Sequence, residues 1–516
     1  LPRVKKFEKK YNQEKIDKYI QSIEAELEEL DYNDPKDKRK IVSREQKISN
    51  IKAGIFTTKK EQELIRPINL GSSVDLPALM YSEEGFHFEV IKNNESGKPS
   101  TDEETLTNLR LTVKKPDSPK AIFLDRLLEL RGLEKMYKTY IEGWNEKVQD
   151  DDRLHGRFLI HGTTSGRLSS AEPNAQQIPK TSVDPNIKLQ LKAPKGTLYI
   201  ASDFSQAELR IMAHLSGDET YLNAFNSGQD PHLAIAATKY HIPYEEALKI
   251  YEDENHPDHK IWKVRRKQAK QIAFGLIYGI GAKLLAVKLS DPKSGIIVTP
   301  EEAQKEMDIF FGQHPKLKTF LKKQEKFLRK NGHLVSLFGR KRRLPQIYSN
   351  DKGEEAYALR LALNFPCQSA ASDMCLFGSI LIYYLMRQGK LPSTKSVCLV
   401  HDANYQITKP ENINIWSIYE MWQIYRNPLT KPYFGFQIDD VTMDMEFVIG
   451  RSMAEELPFI PGYDYKKMLE PDFSVEEYME EHKKYKHIPI SEYKKRFNKQ
   501  MKQYEKDFER THGMES

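Results

Sequence analysis

Cysteine is scarce in this chain of 516 residues, which has only Cys367, Cys375 and Cys398. The three form neither an even set nor a CxxC pair. This usage argues against a disulfide framework and against a cysteine-based zinc site. A reducing compartment fits such a chain.

Long apolar runs are also missing. Since no stretch of about 18 apolar residues occurs, no membrane span is expected. The first residues, "LPRVKKFEKK", lack an initiator methionine and an apolar signal core. We therefore expect a fragment or a processed form of a longer chain.

Neither sign of charge dominates. Lys and Arg number 80, Asp and Glu number 74, and the net charge of +6 is small for this length. It permits a nucleic-acid partner without arguing for one, because a local basic surface matters more than the total. Hydrophobic residues make up 39% and charged residues 30%, a globular composition with room for about three domains.

The stretch "SVCLVHDANYQI", residues 396–407, predicts two strands joined by a very tight turn. An apolar run ends at His401 and Asp402, and an alternating segment begins at Ala403. Two interpretations of Asp402 stay open. It is either a solvated charge on a hairpin tip or a ligand of a metal ion.

A second strand ends in an acid. The segment "LYIASD" delivers Asp203 at its end, as the hairpin delivers Asp402. Side by side, the two carboxylates could hold Mg²⁺, which binds to a few carboxylates plus substrate phosphates and water. Paired ions of that kind support in-line phosphoryl transfer. Because acids at strand ends are common, the pattern alone leaves this pairing open.

The segment "RRKQAKQIAFGLIYG", residues 265–279, predicts a helix with an unusual face. Arg266, Lys270, Phe274 and Tyr278 recur every four residues and form one gently winding stripe. A core face would not carry the cations, and a solvated face would not carry the aromatics. A triphosphate joined to a sugar and a base has the matching order of properties.

In the rest of the chain, the residue patterns predict mainly helices. Apolar spacing over residues 14–30 predicts an amphipathic helix, and "DYNDPKDKRK" predicts a basic loop, either a solvated linker or a surface that contacts phosphates. The stretch 357–388 reads as two apolar helices broken at Pro366. Residues 464–516 alternate acidic and basic residues and read as helical.

Several segments in order resemble motifs of the family A DNA polymerases, the DNA polymerase I type. "SDFSQAELR", "RRKQAKQIAFGLIYG" and "LVHDA" resemble motifs A, B and C. "TTSGRLSSAEPNAQQIP", "GHLVSLFGRKRRLP" and "RLALNFPCQSAASD" match further family segments. The similarity runs from about residue 65 to about 455, and such an ordered set is more specific than one short match.

The resemblance implies a mixed α+β class: a right-hand polymerase fold with an antiparallel palm sheet, helical fingers and a helical thumb. The implied divisions are thumb and N-terminal helical region 1–115, palm 116–218 and 369–455, fingers 219–368, and a C-terminal extension 456–516. The resemblance implies no role for that extension, which lies past the usual end of the family. It could contact DNA or a partner, or pack on the palm.

The resemblance also implies chemistry: 5′–3′ template-directed transfer from dNTPs to a primer 3′-hydroxyl by two Mg²⁺ ions, with Mn²⁺ as a substitute. Asp203, Asp402 and the carbonyl of Phe204 would ligate the metals. Asp203, Asp402, Lys270 and Arg266 would be catalytic. The implied dNTP-binding residues are Phe204, Gln206, Glu208, His232, Arg266, Lys270, Phe274 and Tyr278. The implied DNA-binding residues are Arg167, Asn174, Gln176, Arg360, Asn364, Gln368 and His401.

Glu208 would lie under the sugar C2′ and exclude a 2′-hydroxyl, which favours a DNA polymerase over a single-subunit RNA polymerase. Otherwise it is an ordinary exposed helix glutamate, and His232 an ordinary buried histidine. The expected partners are primer–template DNA and dNTPs, with a replisome or processivity factor as a further candidate. We expect a monomer at an intracellular, organellar or viral replication site. A DNA-binding accessory subunit descended from a polymerase is the non-enzymatic alternative.

Two positions depart from the family pattern. Ala403 stands where motif C normally has glutamate, and Ala273 where motif B usually has asparagine. Two aspartates remain, so we hypothesise an active enzyme with altered metal dependence. The chain has no room for a 3′–5′ exonuclease domain ahead of the thumb, so either a longer protein was trimmed or the enzyme does not proofread.

Overall fold

A computed structural model describes residues 2–179, 184–290, 297–426, 430–486 and 488–512. The chain divides into two compact units, and the division falls between Thr139 and Tyr140. The predicted α+β class is confirmed, because long helices accompany sheets whose paired strands are all antiparallel in the described residues.

The N-terminal unit is helical, with a core that includes Leu76, Leu79, Leu106 and Phe123. The amphipathic helix predicted over residues 14–30 is confirmed in its main part. The helices of this unit are α1 (Pro2–Glu28), α2 (Pro35–Lys52), α3 (Lys59–Gln62), α4 (Asp75–Tyr81), α5 (Glu103–Thr112) and α6 (Pro119–Met136).

The basic loop predicted over residues 31–40 is wrong from Pro35 onward, where α2 begins. The Asp34 side chain accepts a hydrogen bond from the backbone N–H of Lys36 at 2.8 Å. An aspartate at the N-cap followed by proline at the first helical position is a strong start signal. The lysines and arginine that suggested a loop therefore lie on a helix.

Helices also make up most of the second unit, around a core that includes Ile200, Leu209, Leu276 and Ile449. Its helices are α7 (Gly143–Asn145), α8 (Pro185–Gln190), α9 (Ala207–Ser216), α10 (Glu219–Asn226), α11 (Pro231–Lys239), α12 (Tyr244–Glu252), α13 (His259–Ile277), α14 (Ala282–Leu289), α15 (Pro300–Gln313), α16 (Pro315–Asn331), α17 (Lys352–Arg387), α18 (Ile415–Arg426), α19 (Lys431–Phe434), α20 (Val475–His482), α21 (Ile490–Arg496) and α22 (Asn498–His512).

One antiparallel sheet lies at the centre of this unit. Its strands, in spatial order, are β6 (Lys395–Val400), β7 (Ala403–Thr408), β3 (Leu198–Phe204), β8 (Met445–Gly450) and β9 (Leu457–Pro458). Two small hairpins lie outside it: β1 (Arg157–Leu159) with β2 (Ser169–Ala171), and β4 (His333–Val335) with β5 (Lys341–Arg343). The strands predicted around Asp203 and Asp402 are thus confirmed, and β3 is central.

The predicted break at Pro366 is wrong, since α17 runs unbroken from Lys352 to Arg387 with Pro366 inside it. A proline inside a helix removes one hydrogen bond at a cost of about 3 kcal/mol. The helix packs along much of its length against α9, α16 and α18. That burial outweighs the local loss.

The same helix is long and apolar enough to cross a membrane, by length and composition only. Its apolar side chains, however, join the core of the second unit, as Ala370, Met374 and Ile382 show. A buried core helix has the same composition, so this segment is weak support for a membrane span.

The C-terminal segment packs into the second unit. Strand β9 pairs with the edge of β8, with Leu457 opposite Ile449. The Tyr478 hydroxyl donates to the carbonyl of Pro458 at 2.7 Å, and the ring of Phe508 lies 4.7 Å from that of Trp416 on α18. The extension thus contacts β8 and α18, and its role stays a prediction.

The thumb, palm and fingers divisions stay predictions. Helix α6 belongs to the N-terminal unit, where Phe123 and Leu127 share a core with Leu106 and Leu109 of α5. The predicted boundary at residue 115 falls between these two packed helices.

Gly378 tests the packing of α17 on α18. A Cβ atom there would lie 2.5 Å from Cδ1 of Tyr425, a fully buried ring. We expect Gly378→Ala to lower the free energy of unfolding by about 1–3 kcal/mol through overpacking. Chemical denaturation would measure it.

The matched control is Gly312→Ala on α15, where the new methyl group meets nothing within 4 Å. It should be neutral or raise the free energy of unfolding by up to about 1 kcal/mol. Equal effects of the two substitutions would show that helix propensity, and not contact with Tyr425, governs position 378.

Candidate active site

The hairpin tip consists of His401 and Asp402, the two residues between β6 and β7. His401 has a φ of 57°, in the left-handed region that two-residue hairpin turns require. Asp402 is partly buried. The turn therefore fixes Asp402 against the sheet and does not leave it freely solvated.

The strand register places Asp203 beside this tip. Asp203 pairs with Ala403 on β7 and with Glu446 on β8. Cross-strand partners share one face of a sheet, so Ala403, Asp203 and Glu446 form a row across it. Asp203 and Glu446 are exposed, whereas Ser202 and Phe204 are buried.

The carboxylates in this region repel one another. Although Asp203 reaches solvent, the surrounding protein atoms partly desolvate its carboxylate and raise its pKa to about 7, and the charges of Asp402 and Glu446 add to the shift. Desolvation also raises the pKa of Asp402, while Arg167 and His401 oppose the shift. Such groups are stabilised by a cation between them.

The donor set fits Mg²⁺ better than a metal enclosed by protein ligands. Over the described residues, no three His, Cys, Asp or Glu side chains are grouped closely enough to hold an ion. Mg²⁺ commonly binds to one or two carboxylates and completes its octahedron with water and substrate phosphates. Asp203 and Asp402, with the adjacent carbonyl of Phe204, match that requirement.

Hydrogen bonds from polar side chains hold the hairpin in place. The Gln176 amide donates to the carbonyl of Leu399 at 3.0 Å. The Asn404 amide donates to the Tyr425 hydroxyl at 3.0 Å, and Ser396 donates to Asn404 at 2.6 Å. The Gln176 amide, predicted to contact DNA, is therefore already bonded to β6.

The predicted helical stripe is confirmed on α13. Arg266, Phe274 and Tyr278 are half-buried and Lys270 is exposed. The rings of Phe274 and Tyr278 stack 6.3 Å apart, and the Lys270 ammonium lies 5.8 Å from the Phe274 ring. The two cations and the two aromatic rings thus follow one another along one accessible line.

Two residues adjoin this stripe: Asp230, the N-cap of α11, and His232 on α11. Arg266 donates to Asp230 at 2.6 Å. The His232 ring lies 5.7 Å from Phe274, and neither ring nitrogen has a partner within the described residues. Burial lowers the pKa of His232 to about 4, Arg266 and Lys270 lower it further, and Asp230 opposes them. The ring is therefore neutral near pH 7.

Glu208 lies on the first turn of α9 and is 8% exposed. One oxygen accepts a hydrogen bond from Arg167, and the other accepts from the Tyr278 hydroxyl at 2.6 Å. The view of Glu208 as an ordinary exposed glutamate is wrong. Gln206, just before it, has a φ of 59° and a side-chain oxygen with no partner among the described residues.

Three of the predicted DNA-binding residues lie on α17. Arg360, Asn364 and Gln368 are spaced by four residues, so they follow one line along the helix. Asn174 instead caps a short 3₁₀ turn, where its side chain accepts from the backbone N–H of Gln176. His401 lies at the hairpin tip and not on α17.

Sequence reasoning missed three residues. Glu446 follows the same strand alternation as its neighbours in "DMEFVIG", which is the signal that could have found it. Arg210 donates to the carbonyls of Ser205 and Thr442. Asp230 was missed because nothing local in the sequence shows its pairing with Arg266.

Comparison with known proteins identifies the family. The profile of DNA polymerase family A matches residues 39–415. That is most of the chain, and the protein belongs to this family.

Curated relatives are DNA polymerases I. The thermostable enzyme of Thermus aquaticus is 32% identical over 319 residues, which cover 61% of this chain and 35% of that protein. The enzyme of Pseudomonas aeruginosa is 32% identical over 336 residues, 65% of this chain and 33% of that protein. The chain thus spans about a third of the length of these relatives.

A solved structure supports the same fold. The polymerase domain of Pol1 from M. smegmatis, in complex with DNA primer–template and dNTP, is 28% identical and has a TM-score of 0.61. The likeness covers 76% of this chain and 62% of that chain. The α+β fold of this chain is therefore similar to a family A polymerase domain.

The raised pKa of Asp203 predicts a pH-dependent stability without divalent ions. Native Asp203 keeps its proton where unfolded Asp203 has lost it, so stability falls between about pH 4 and pH 7 and stays lower above. Asp203→Asn should raise the free energy of unfolding above about pH 7 by about 1 kcal/mol, a gain kept small because solvent screens this exposed group. Near pH 4 the gain should vanish.

Asp439→Asn is the control, since Asp439 is an exposed acid outside the strands that carry Asp203 and Glu446. Calorimetry at the two pH values would measure both variants. The same gain for both, or a gain that persists near pH 4, would contradict the repulsion described here.

Proposed function

We propose that this chain catalyses template-directed DNA synthesis, the transfer of a nucleotide from a dNTP to a primer 3′-hydroxyl with release of pyrophosphate. The observation that carries the proposal is the β3–β7 register, which brings the end of β3 with Asp203 to the hairpin tip with Asp402. Membership of family A and likeness to a polymerase domain in complex with primer–template and dNTP support it.

Asp203, Asp402 and the Phe204 carbonyl would hold two Mg²⁺ ions, or Mn²⁺ in their place. When bound, these ions supply Lewis-acid activation and neutralise charge on the reacting phosphates. The β3–β7 register and the raised carboxylate pKa values support this assignment.

The stripe on α13 would bind the nucleotide. Arg266 and Lys270 would contact the triphosphate, Phe274 the sugar and base, and Tyr278 the neighbourhood of the templating base. To bind a phosphate, Arg266 must give up its ion pair with Asp230. His232 is buried and must become accessible. Both requirements fit a helix that moves when the nucleotide binds. Gln206 and Glu208 would lie beside the sugar.

The duplex would lie along polar donors that do not read sequence. Arg167, Asn174, Gln176, Arg360, Asn364, Gln368 and His401 are the residues we assign to it. Every correct base pair presents acceptors in the minor groove, so donors there test pair geometry. We assign no exonuclease activity to residues 1–516.

The setting follows from the substrates. Synthesis needs dNTPs and a DNA template, so we propose that the protein acts within a cell, an organelle or a viral replication site. The proposed unit of action is the monomer, and a processivity factor is a candidate partner.

Asp402→Asn tests the activity itself. The substitution removes a charge at the hairpin tip and keeps the side-chain shape. Primer extension with Mg²⁺ should fall by roughly 10³-fold or more, since metal-ion charge stabilisation contributes several kcal/mol. Undiminished extension would show that Asp402 is no catalytic ligand. Template binding without any extension by the unmutated chain would favour the accessory-subunit alternative.

Ala403→Glu tests the departure in motif C. It adds a negative charge directly opposite Asp203, on the side away from Glu446. Extension rates across Mg²⁺ and Mn²⁺ concentrations should shift in magnitude and in metal preference. Ala403→Gln is the control of equal size without charge. If the glutamate variant keeps both rate and metal preference, the departure is neutral.

A further inference from the structure

One face of α17 carries large apolar side chains that stay exposed among the described residues. Ile380 and Tyr383 are each 61% exposed, and Tyr384 is 59% exposed. They follow Phe377 at helical spacing, so the four side chains lie on one side of the helix. Single apolar residues on a surface are ordinary, whereas a continuous patch marks a surface for a partner.

A groove beside this face gives it depth. The groove has a volume of about 430 Å³ and lies between α17 and the turn that joins β4 to β5. Its side-chain lining is apolar except for the ion pair of Arg340 with Asp373. Clefts of a few hundred Å³ bury most of what they bind. This groove can therefore take apolar side chains of a partner.

Helix α19 forms a fixed part of the groove. The Phe434 ring lies 4.9 Å from Phe338 and 5.4 Å from Phe377. Gly435, with a φ of 77°, ends α19, and the Thr430 hydroxyl donates to the carbonyl of Phe436 at 2.7 Å. Because the groove is already formed in the unbound chain, a partner loses little free energy in ordering it.

The charge around the groove has one sign. The segments that border it are 337–343, 376–387 and 431–434, and they carry four, one and one cations and no acid. Asp373 in the lining is already bonded to Arg340 at 2.8 Å. A partner that complements this surface therefore has an apolar face with acids beside it.

We propose that this groove binds an amphipathic helix of a partner protein, whose apolar face is flanked by acidic side chains. A helix in a groove anchors through side chains at i, i+3 or i+4, and i+7. Phe377, Ile380 and Tyr384 present the matching spacing along α17. The proposal does not depend on DNA synthesis by this chain.

Single-stranded DNA is a weaker match to this surface. Bases stack on open ring faces, but the rings here pack edge to face against one another. Phe377 meets Tyr433 at 68° and Phe434 at 81°. Leu376 and Ile380, which line the groove, are aliphatic. The surface thus favours apolar side chains over a row of bases.

A second copy of the chain and an anionic bilayer also match less well. A two-fold interface pairs a patch with itself, so two surfaces of the same sign would meet and repel each other. A bilayer would attract the cations, but its flat surface leaves the groove beside α17 unfilled. A helix with protruding apolar side chains fills the groove and meets the cations together.

The test is a selection followed by a binding measurement. A display library of random peptides of about 15 residues, long enough to form a helix, is selected on the full chain. We expect enriched peptides with apolar residues at i, i+3 or i+4, and i+7, and with acids beside them. A labelled copy of an enriched peptide then gives a dissociation constant by fluorescence anisotropy.

Variants locate the binding. Ile380→Glu should weaken the peptide about 30-fold, the size of an interface hot spot, and Tyr384→Ser about tenfold. Lys431→Glu should lower the association rate and its dependence on salt. Ile309→Glu on α15 is the matched control, an exposed helical isoleucine away from the groove, and should leave binding unchanged. Chemical denaturation should show the same free energy of unfolding for Ile380→Glu as for the unmutated chain.

The proposal is overturned if no peptide is enriched, if enriched peptides lack acids, or if they bind to Ile380→Glu and Tyr384→Ser as tightly as before. Sedimentation, an oligo(dT) strand and phosphatidylserine vesicles test the other occupants. Self-association, DNA binding or vesicle binding that Ile380→Glu abolishes would also overturn it. Primer extension, measured in parallel, should be equal for Ile380→Glu and the unmutated chain. If the unmutated chain extends no primer, the proposed function fails and this proposal stands or falls separately.

Discussion

The antiparallel pairing of β3 with β7 is the constraint on which the site depends. It sets Asp203 opposite Ala403, and therefore next to Asp402 at the tip. A slip of one residue would turn Asp203 to the opposite face of the sheet, where the neighbouring positions Ser202 and Phe204 are buried. Gln176, Asn404 and Tyr425 hold the hairpin in register from behind, so the buried hydrogen bonds serve the exposed acids.

The site is also a balance of unlike charges. Carboxylates lie at the end of β3, at the hairpin tip and on β8. Arg266 is already bonded to Asp230, and Arg167 to Glu208. Each of these cations is thus held in place by a protein carboxylate before any phosphate or base is near. Under the proposed function, a ligand binds by exchanging these partners, which lets it reposition helices as well as attach to them.

Local patterns in the sequence were enough for the parts of the site that lie within one element. The spacing of Arg266 and Phe274 predicts one helical face, and the acid after "LYIAS" predicts a strand end. The tertiary partners of these residues could not be predicted from local patterns. That Glu446 lies beside Asp203 depends on pairing across 243 positions of sequence. The break at Pro366 failed for the opposite reason, since tertiary packing overrode a strong local signal.

The order of strands in the sheet also bears on how the chain acquires its shape. Central β3 ends at Phe204, yet its two neighbours begin only at Ala403 and Met445. Closing loops of that length is entropically costly and slow. During synthesis, β3 must leave the ribosome with both edges unpaired, and it has a strongly apolar sequence. The acids cannot meet until the later strands arrive, and until then β3 is an unpaired apolar segment of the kind that is prone to aggregation.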